Sequence, residues 1–140
     1  MISLELARAL RTAGLRWKPE SGDRFTLLEA EAAGEIFTVS DMTVEAHVYP
    51  SGTVLGFNGT TEWALDSVAL DDAVWLPRED QLRRLLGGTF RALRTEGSDE
   101  LEPRFEVEAV LRGTPRIFAA ATAADAYAEA VLALVLAAEV

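Results

Sequence analysis

Residues 43–58, TVEAHVYPSGTVLGFN, constrain the fold more tightly than any other part of the chain. Two runs rich in β-branched and aromatic residues flank Tyr49-Pro50-Ser51-Gly52, a composition suited to a turn, so the segment predicts an antiparallel hairpin. With the turn there, Val48 stands opposite Thr53, Ala46 opposite Leu55, and Val44 opposite Phe57. Because strand side chains alternate with period two, those six residues share one largely apolar face. The other face carries Thr43, Glu45, His47 and Tyr49 beside Val54, Gly56 and Asn58. A second hairpin is predicted with Arg112 and Gly113 at its turn; Phe105, Val107, Ala109 and Leu111 share a face, and Phe118 crosses Val107. RFTLLE and IFTV read as further strands, and the EAEAAGE stretch at 29–35 stays open between a helical turn and a loop.

Helical signals surround these strands. Ser3 is placed to cap a first helix whose Leu4, Ala7 and Leu10 fall on one side, and Gly14 is a natural stop. Thr60 or Thr61 begins a predicted short helix, TEWALDSVAL. PREDQLRRLL forms the clearest helix, with Pro77 suited to its first turn and acids at 79 and 80 complementing its N-terminus. Leu82, Leu85, Leu86, Phe90 and Leu93 keep helical spacing past Gly87 and Gly88. The expectation is therefore a helix kinked or interrupted at the glycines, with FRALR as a strand the alternative. The polar segment 95–103 reads as a loop. Thr122 and Asp125 then suggest a capping box for a final helix. Its stripe of Tyr127, Ala130, Val131, Leu134 and Ala138 leaves Leu132 and Leu136 on other sides, so either the monomer covers it heavily or part of it joins a homodimer.

Two hairpins and no βαβ rhythm favour an α+β fold: an antiparallel sheet built from two hairpins and additional strands, with helices packed mainly on one face. At 140 residues the chain suits a single compact domain over 1–140, with a two-lobed arrangement broken near 71–77 as the alternative.

Composition narrows the chemistry. The absence of cysteine removes disulfides, thiol catalysis and cysteine-bearing zinc sites, and the single histidine, His47, excludes HExxH zinc chemistry. A formal net charge of −10 argues against nucleic acid and anionic lipid as partners. The N-terminal MISLELARALR reads as a helix and not as a signal peptide, and 127–138 is too short to span a membrane, so no membrane insertion and a cytoplasmic location are expected.

No segment carries a recognised catalytic motif. GFNGTTEW, LLGGTF and LRGTPR lack both the GxxxxGK[ST] and the GxGxxG pattern, so their glycines are assigned to turns and caps, and no cofactor is expected. Glu62 and Asp66, four apart, are a conceivable acid–base or cation pair, but such spacing is common among 23 acidic residues, and no metal site is assigned. Arg78, Arg83, Arg84, Arg91 and Arg94 would line a basic stripe if 78–94 were one helix, though Glu79 and Asp80 interrupt it. The densest group of binding side chains is Asp41, His47, Asn58, Thr60, Thr61, Glu62, Trp63, Asp66 and Trp75. Indoles supply apolar contact there while amide and carboxylate fix orientation. The competing account gives Trp63 and Trp75 anchoring duties and Asn58-Gly59 a turn.

SDMTVE, GFNGTTEWALDSV and WLPREDQLRRLLGGTF together resemble a small family of bacterial, mainly actinobacterial, proteins of about this length. The similarity runs through most of the chain to DAYAEAVLALV, and such proteins often carry the label "pilus assembly protein". A pilus-assembly protein of related name resembles ParA-type ATPases, which need a Walker-type phosphate loop; the glycine segments here have none, so no ATPase residue is carried over. The functional expectation is a noncatalytic binding or protein-interaction module, using the 41–75 surface for an unknown protein or small molecule. The alternatives are a small hydrolase or transferase with Glu45, His47, Glu62 and Asp66 in one cleft, and a structural homodimer joined through the final helix.

Overall fold

A computed structural model describes residues 1–28, 35–39, 44–49, 52–57, 67–69, 72–96 and 103–138, with 44–49, 52–57, 67–69 and Glu96 described by their backbone. The fold is α+β and its strand pairings are all antiparallel. The chain divides into two compact units: Trp17–Leu76 is one, and Met1–Arg16 together with Pro77–Val140 is the other. Among the described residues there are three three-stranded sheets, and the two hairpins belong to different ones.

In the first unit, α1 (Leu4–Ala13) is capped by Ser3, whose hydroxyl accepts from the Leu6 amide at 3.3 Å. Gly14 ends it, donating its amide to the Arg11 carbonyl. Helix α2 (Glu79–Leu86) begins after Arg78, whose amide donates to Gln81 Oε1 at 2.9 Å. Pro77 therefore precedes the cap and does not enter the first turn. Gln81, Leu82 and Leu86 are buried while Arg83, Arg84 and Leu85 are exposed, as a 3.6-residue period requires.

The helix does not run on past the glycines, contrary to the expectation from spacing. Gly87 adopts φ 54° and ψ −133°, a conformation that side chains resist, and 87–89 form one tight turn. Thr89 donates its hydroxyl to the Leu86 carbonyl at 2.6 Å, closing the end. Phe90–Glu96 is then a strand, β7. It pairs with β8 (Arg104–Leu111), which pairs with β9 (Thr114–Ala120). The β8–β9 turn is Arg112-Gly113, with both residues at positive φ, the geometry that matches strand twist in a two-residue loop. Val107 faces Phe118 as the sequence predicts. Strand β7 also takes in 95 and 96 of the expected loop, whose remaining 97–102 lie outside the described residues.

Helix α3 (Ala123–Ala138) closes this unit and packs against α1, α2, β8 and β9. Thr122 accepts from the Asp125 amide at 3.1 Å, one half of the expected capping box. The Asp125 carboxylate instead accepts from the Ser3 amide at 2.7 Å. Ala124, Ala126, Tyr127, Ala128, Ala130 and Val131 are buried; small residues let the neighbouring elements approach closely.

In the second unit, β1 (Arg24–Leu27) lies between β2 (Phe37–Thr38) and β6 (Ala73–Leu76). Phe25, Thr26 and Leu27 are all buried, so both faces of this strand are covered. The expected hairpin is present as β3 (Val44–Tyr49) and β4 (Gly52–Phe57), in the predicted register: Val48 to Thr53, Ala46 to Leu55 and Val44 to Phe57. Strand β5 (Ser67–Ala69) pairs with β4, so the end of the expected TEWALDSVAL helix is extended chain. Val68 suits a strand and Ala69 does not oppose it strongly, and pairing with Leu55 and Val54 satisfies their backbone. The start of that segment lies outside the described residues. Among the described residues, no helix is long and apolar enough to cross a membrane.

Candidate functional site around Trp75

Strand pairing in the second unit builds an aromatic row. Phe25 stands opposite Phe37 on one side and Trp75 on the other, so the three rings share one face of the sheet. The Phe25 and Phe37 ring centroids are 5.4 Å apart. Trp17 extends the row: its ring lies 5.3 Å from Phe25 and stacks on Trp75 at 6.4 Å with an interplanar angle of 8°. Leu27, Val39 and Ala73 complete the apolar cluster.

A buried carboxylate fixes Trp17. Its Nε1 donates to Asp23 Oδ2 at 2.9 Å, and the Glu20 amide donates to the same oxygen at 3.1 Å. Asp23 is 2% exposed. An isolated buried charge is costly, so these donors are what makes its position tenable. The Asp23 backbone is held as well, accepting from the Val39 amide at 2.8 Å and donating to the Glu20 carbonyl at 3.0 Å. The turn 18–22 is thus tied to the sheet edge, and the indole is locked in orientation.

Trp75 differs from Trp17. Its ring is half-buried, yet its Nε1 is shielded from solvent and has no hydrogen-bond partner among the described residues. Such an unpaired donor costs about 1–3 kcal/mol. The result is an indole backed by the Trp17 ring.

Of the residues proposed from sequence, Trp75 is the one whose side chain is described. His47 is placed by its backbone on β3, opposite Val54, with Glu45 opposite Gly56. Asp41, Asn58, Thr60, Thr61, Glu62, Trp63 and Asp66 lie outside the described residues, and so does the test of a cleft joining Glu45, His47, Glu62 and Asp66. Sequence reasoning missed Trp17 and Asp23. The signal available was a tryptophan and an aspartate bracketing a Pro/Ser/Gly turn, a spacing that lets the carboxylate fold back onto the indole.

The basic stripe does not form, because Arg91 and Arg94 sit on β7 and not on α2. Arg78 pairs with Asp80 at 3.0 Å, Arg94 pairs with Glu108 at 3.0 Å, and Arg83 lies 4.5 Å over the Phe90 ring. Arg91 donates to the Gly88 and Phe90 carbonyls at 2.6 and 3.1 Å. The hydrogen bond from Arg78 holds the Asp80 carboxyl below its ordinary range. Burial pushes the Tyr127 phenol up, against the opposing pull of Arg83. Among the described residues, no group of three or more His, Asp or Glu is arranged to hold a metal ion. Set against known proteins, the chain matches no family model, no curated protein and no solved structure.

Proposed function

We propose that the protein is a noncatalytic binding module of the cytoplasm that takes its partner at the face around Trp75. The observation that carries this reading is the half-buried Trp75 indole, stacked on an immobilised Trp17, with an N–H that has no partner among the described residues. Binding hot spots favour large aromatic side chains whose rotamers are already fixed, because little conformational entropy is then lost on association. The test compares the native-purified protein with its Trp75→Ala and Trp75→Phe variants for retained protein or small molecule. Trp75→Ala is expected to lose about tenfold in affinity, a loss typical of a hot-spot aromatic. Equal retention by wild type and Trp75→Ala would overturn the reading.

A second reading, self-association through α3, is favoured by one observation. The first half of that helix is buried, whereas Leu132, Leu134 and Val135 are half-buried and Leu136 is 48% exposed. Residues 130–138 contain no charge. Sedimentation over a concentration series, with Leu136→Glu as the control, tests this reading; a monomer at all concentrations would rule it out.

A further inference from the structure

The charged residues are divided very unevenly between the two units. Trp17–Leu76 contains eleven Asp and Glu against two basic residues, Lys18 and Arg24, while the rest of the chain contains twelve acids and eleven arginines. Nearly all of the net charge of −10 therefore belongs to the second unit. The field that a unit presents to an approaching molecule is set first by its summed charge and only then by the placement of each carboxylate. Glu20, Glu35 and Asp72 are exposed carboxylates on the described part of that unit. All three tryptophans of the chain, Trp17, Trp63 and Trp75, lie in the same segment.

We propose that the partner taken at Trp75 is a cationic protein segment bearing lysine or arginine side chains. This rests on the binding reading above and names the class of its partner. Summed negative charge steers such a segment toward the second unit, and the first unit, close to neutral, does not compete for it. On arrival, a half-buried indole suits a side chain with an apolar stem and a cationic head, through the attraction of a cation to an aromatic ring. The exposed carboxylates of the unit, Glu20, Glu35 and Asp72 among them, supply opposite charge for its remaining lysines or arginines. Nucleic acid and anionic lipid are repelled by the same field.

The chain supplies its own probe, because tryptophan fluorescence reports on the second unit alone. The full-length protein is titrated with an oligolysine peptide, and with an oligoglutamate peptide as control. Oligolysine is expected to change the emission and to lose affinity as salt rises, while oligoglutamate does neither. Neutralising the second unit by Glu20→Gln, Glu35→Gln and Asp72→Asn together should weaken oligolysine about tenfold, from the summed loss of three exposed interactions. Neutralising Glu5, Glu79 and Glu106 of the first unit to Gln should leave it nearly unchanged. Five of these side chains are exposed and Glu106 is half-buried, so both triple variants are expected to retain the fold, which circular dichroism checks.

No response to oligolysine overturns the proposal, and so does equal weakening by the two triple variants. A native-purified partner that depends on Trp75 but carries no cationic segment would also overturn it, and would leave the binding reading standing. Loss of that dependence with oligolysine binding intact would overturn both readings, because the cationic segment would then be taken away from Trp75.

Discussion

Asp125 in the first turn of α3 accepts a 2.7 Å hydrogen bond from the backbone amide of Ser3, 122 residues earlier in the chain. Ser3 in turn accepts from Leu6, so one residue joins the start of α1 to the start of α3. A carboxylate at a helix N-terminus is favoured by the exposed amides there, and here it also satisfies an amide of a neighbouring helix. Asp125→Ala should cost about 1–3 kcal/mol, the range for removing a charged acceptor from a partly buried donor. Asp125→Asn, which keeps an acceptor oxygen, should cost less than half as much. Urea unfolding of the two variants measures the difference; equal midpoints for Asp125→Ala and wild type would show that the contact contributes nothing.

Gly87 and Gly88 offer a matched pair. A Cβ added at either would meet nothing within 4 Å, so sterics with neighbours do not distinguish them. Only Gly87 has positive φ. Gly87→Ala should therefore destabilise by about 1–2 kcal/mol through backbone strain alone. Gly88→Ala should be neutral or stabilising by up to about 1 kcal/mol, because alanine restricts the unfolded chain more than glycine does. Thermal melts of the two single variants would refute this if their order were reversed.

Leu82 is 0% exposed and Leu85, three residues on, is 38% exposed. Truncation at a fully buried leucine removes transfer energy and leaves a cavity, so Leu82→Ala should cost about 2–5 kcal/mol. Leu85→Ala on the outer side of α2 should stay under about 1 kcal/mol. Chemical denaturation gives both numbers, and comparable losses at the two sites would mean that Leu85 is covered in solution.

Tyr127 predicts an alkaline limit. Its folded-state pKa is raised above the ordinary phenol value of 10.0, chiefly by burial, so the folded state holds the phenol proton more tightly than the unfolded chain does. The contribution to stability is complete below pH 10.0 and is lost as pH climbs through the raised folded pKa. Tyr127→Phe should flatten this alkaline decline while leaving stability at neutral pH little changed. A decline of the same steepness in the variant would assign it to other groups.

The hairpin registers were legible because alternation and turn residues are local: Tyr49 to Gly52 and Arg112-Gly113 each fix which residues face one another. Strand β7 was not. Phe90 and Leu93, three apart, satisfy a helical stripe as well as a strand does, and the backbone of Gly87 decides between them. Within the candidate site, Trp75 could be picked out from the sequence, because it reads as an aromatic beside a turn whichever element holds it. Trp17 was hidden because its value depends on two non-local events, the pairing of β1 with β6 and the return of Asp23 beneath the indole. The uneven charge was countable throughout, yet it acquires meaning only when the unit boundaries at 16/17 and 76/77 are known.

The division of the first unit into two stretches of chain has a consequence for its birth on the ribosome. Helix α1 is made first, but the helix it packs against, α3, is made last. Until then Ile2, Ala7 and Leu10, all buried in the finished protein, have no α3 to meet. The whole of the second unit must be synthesised in between. Local contacts form quickly and distant ones wait on the closing of long loops, so the second unit can mature during translation while the first cannot. The nascent chain thus passes through a period with a finished middle and an unmatched apolar beginning, in which a chaperone holding the N-terminal helix would have most to protect.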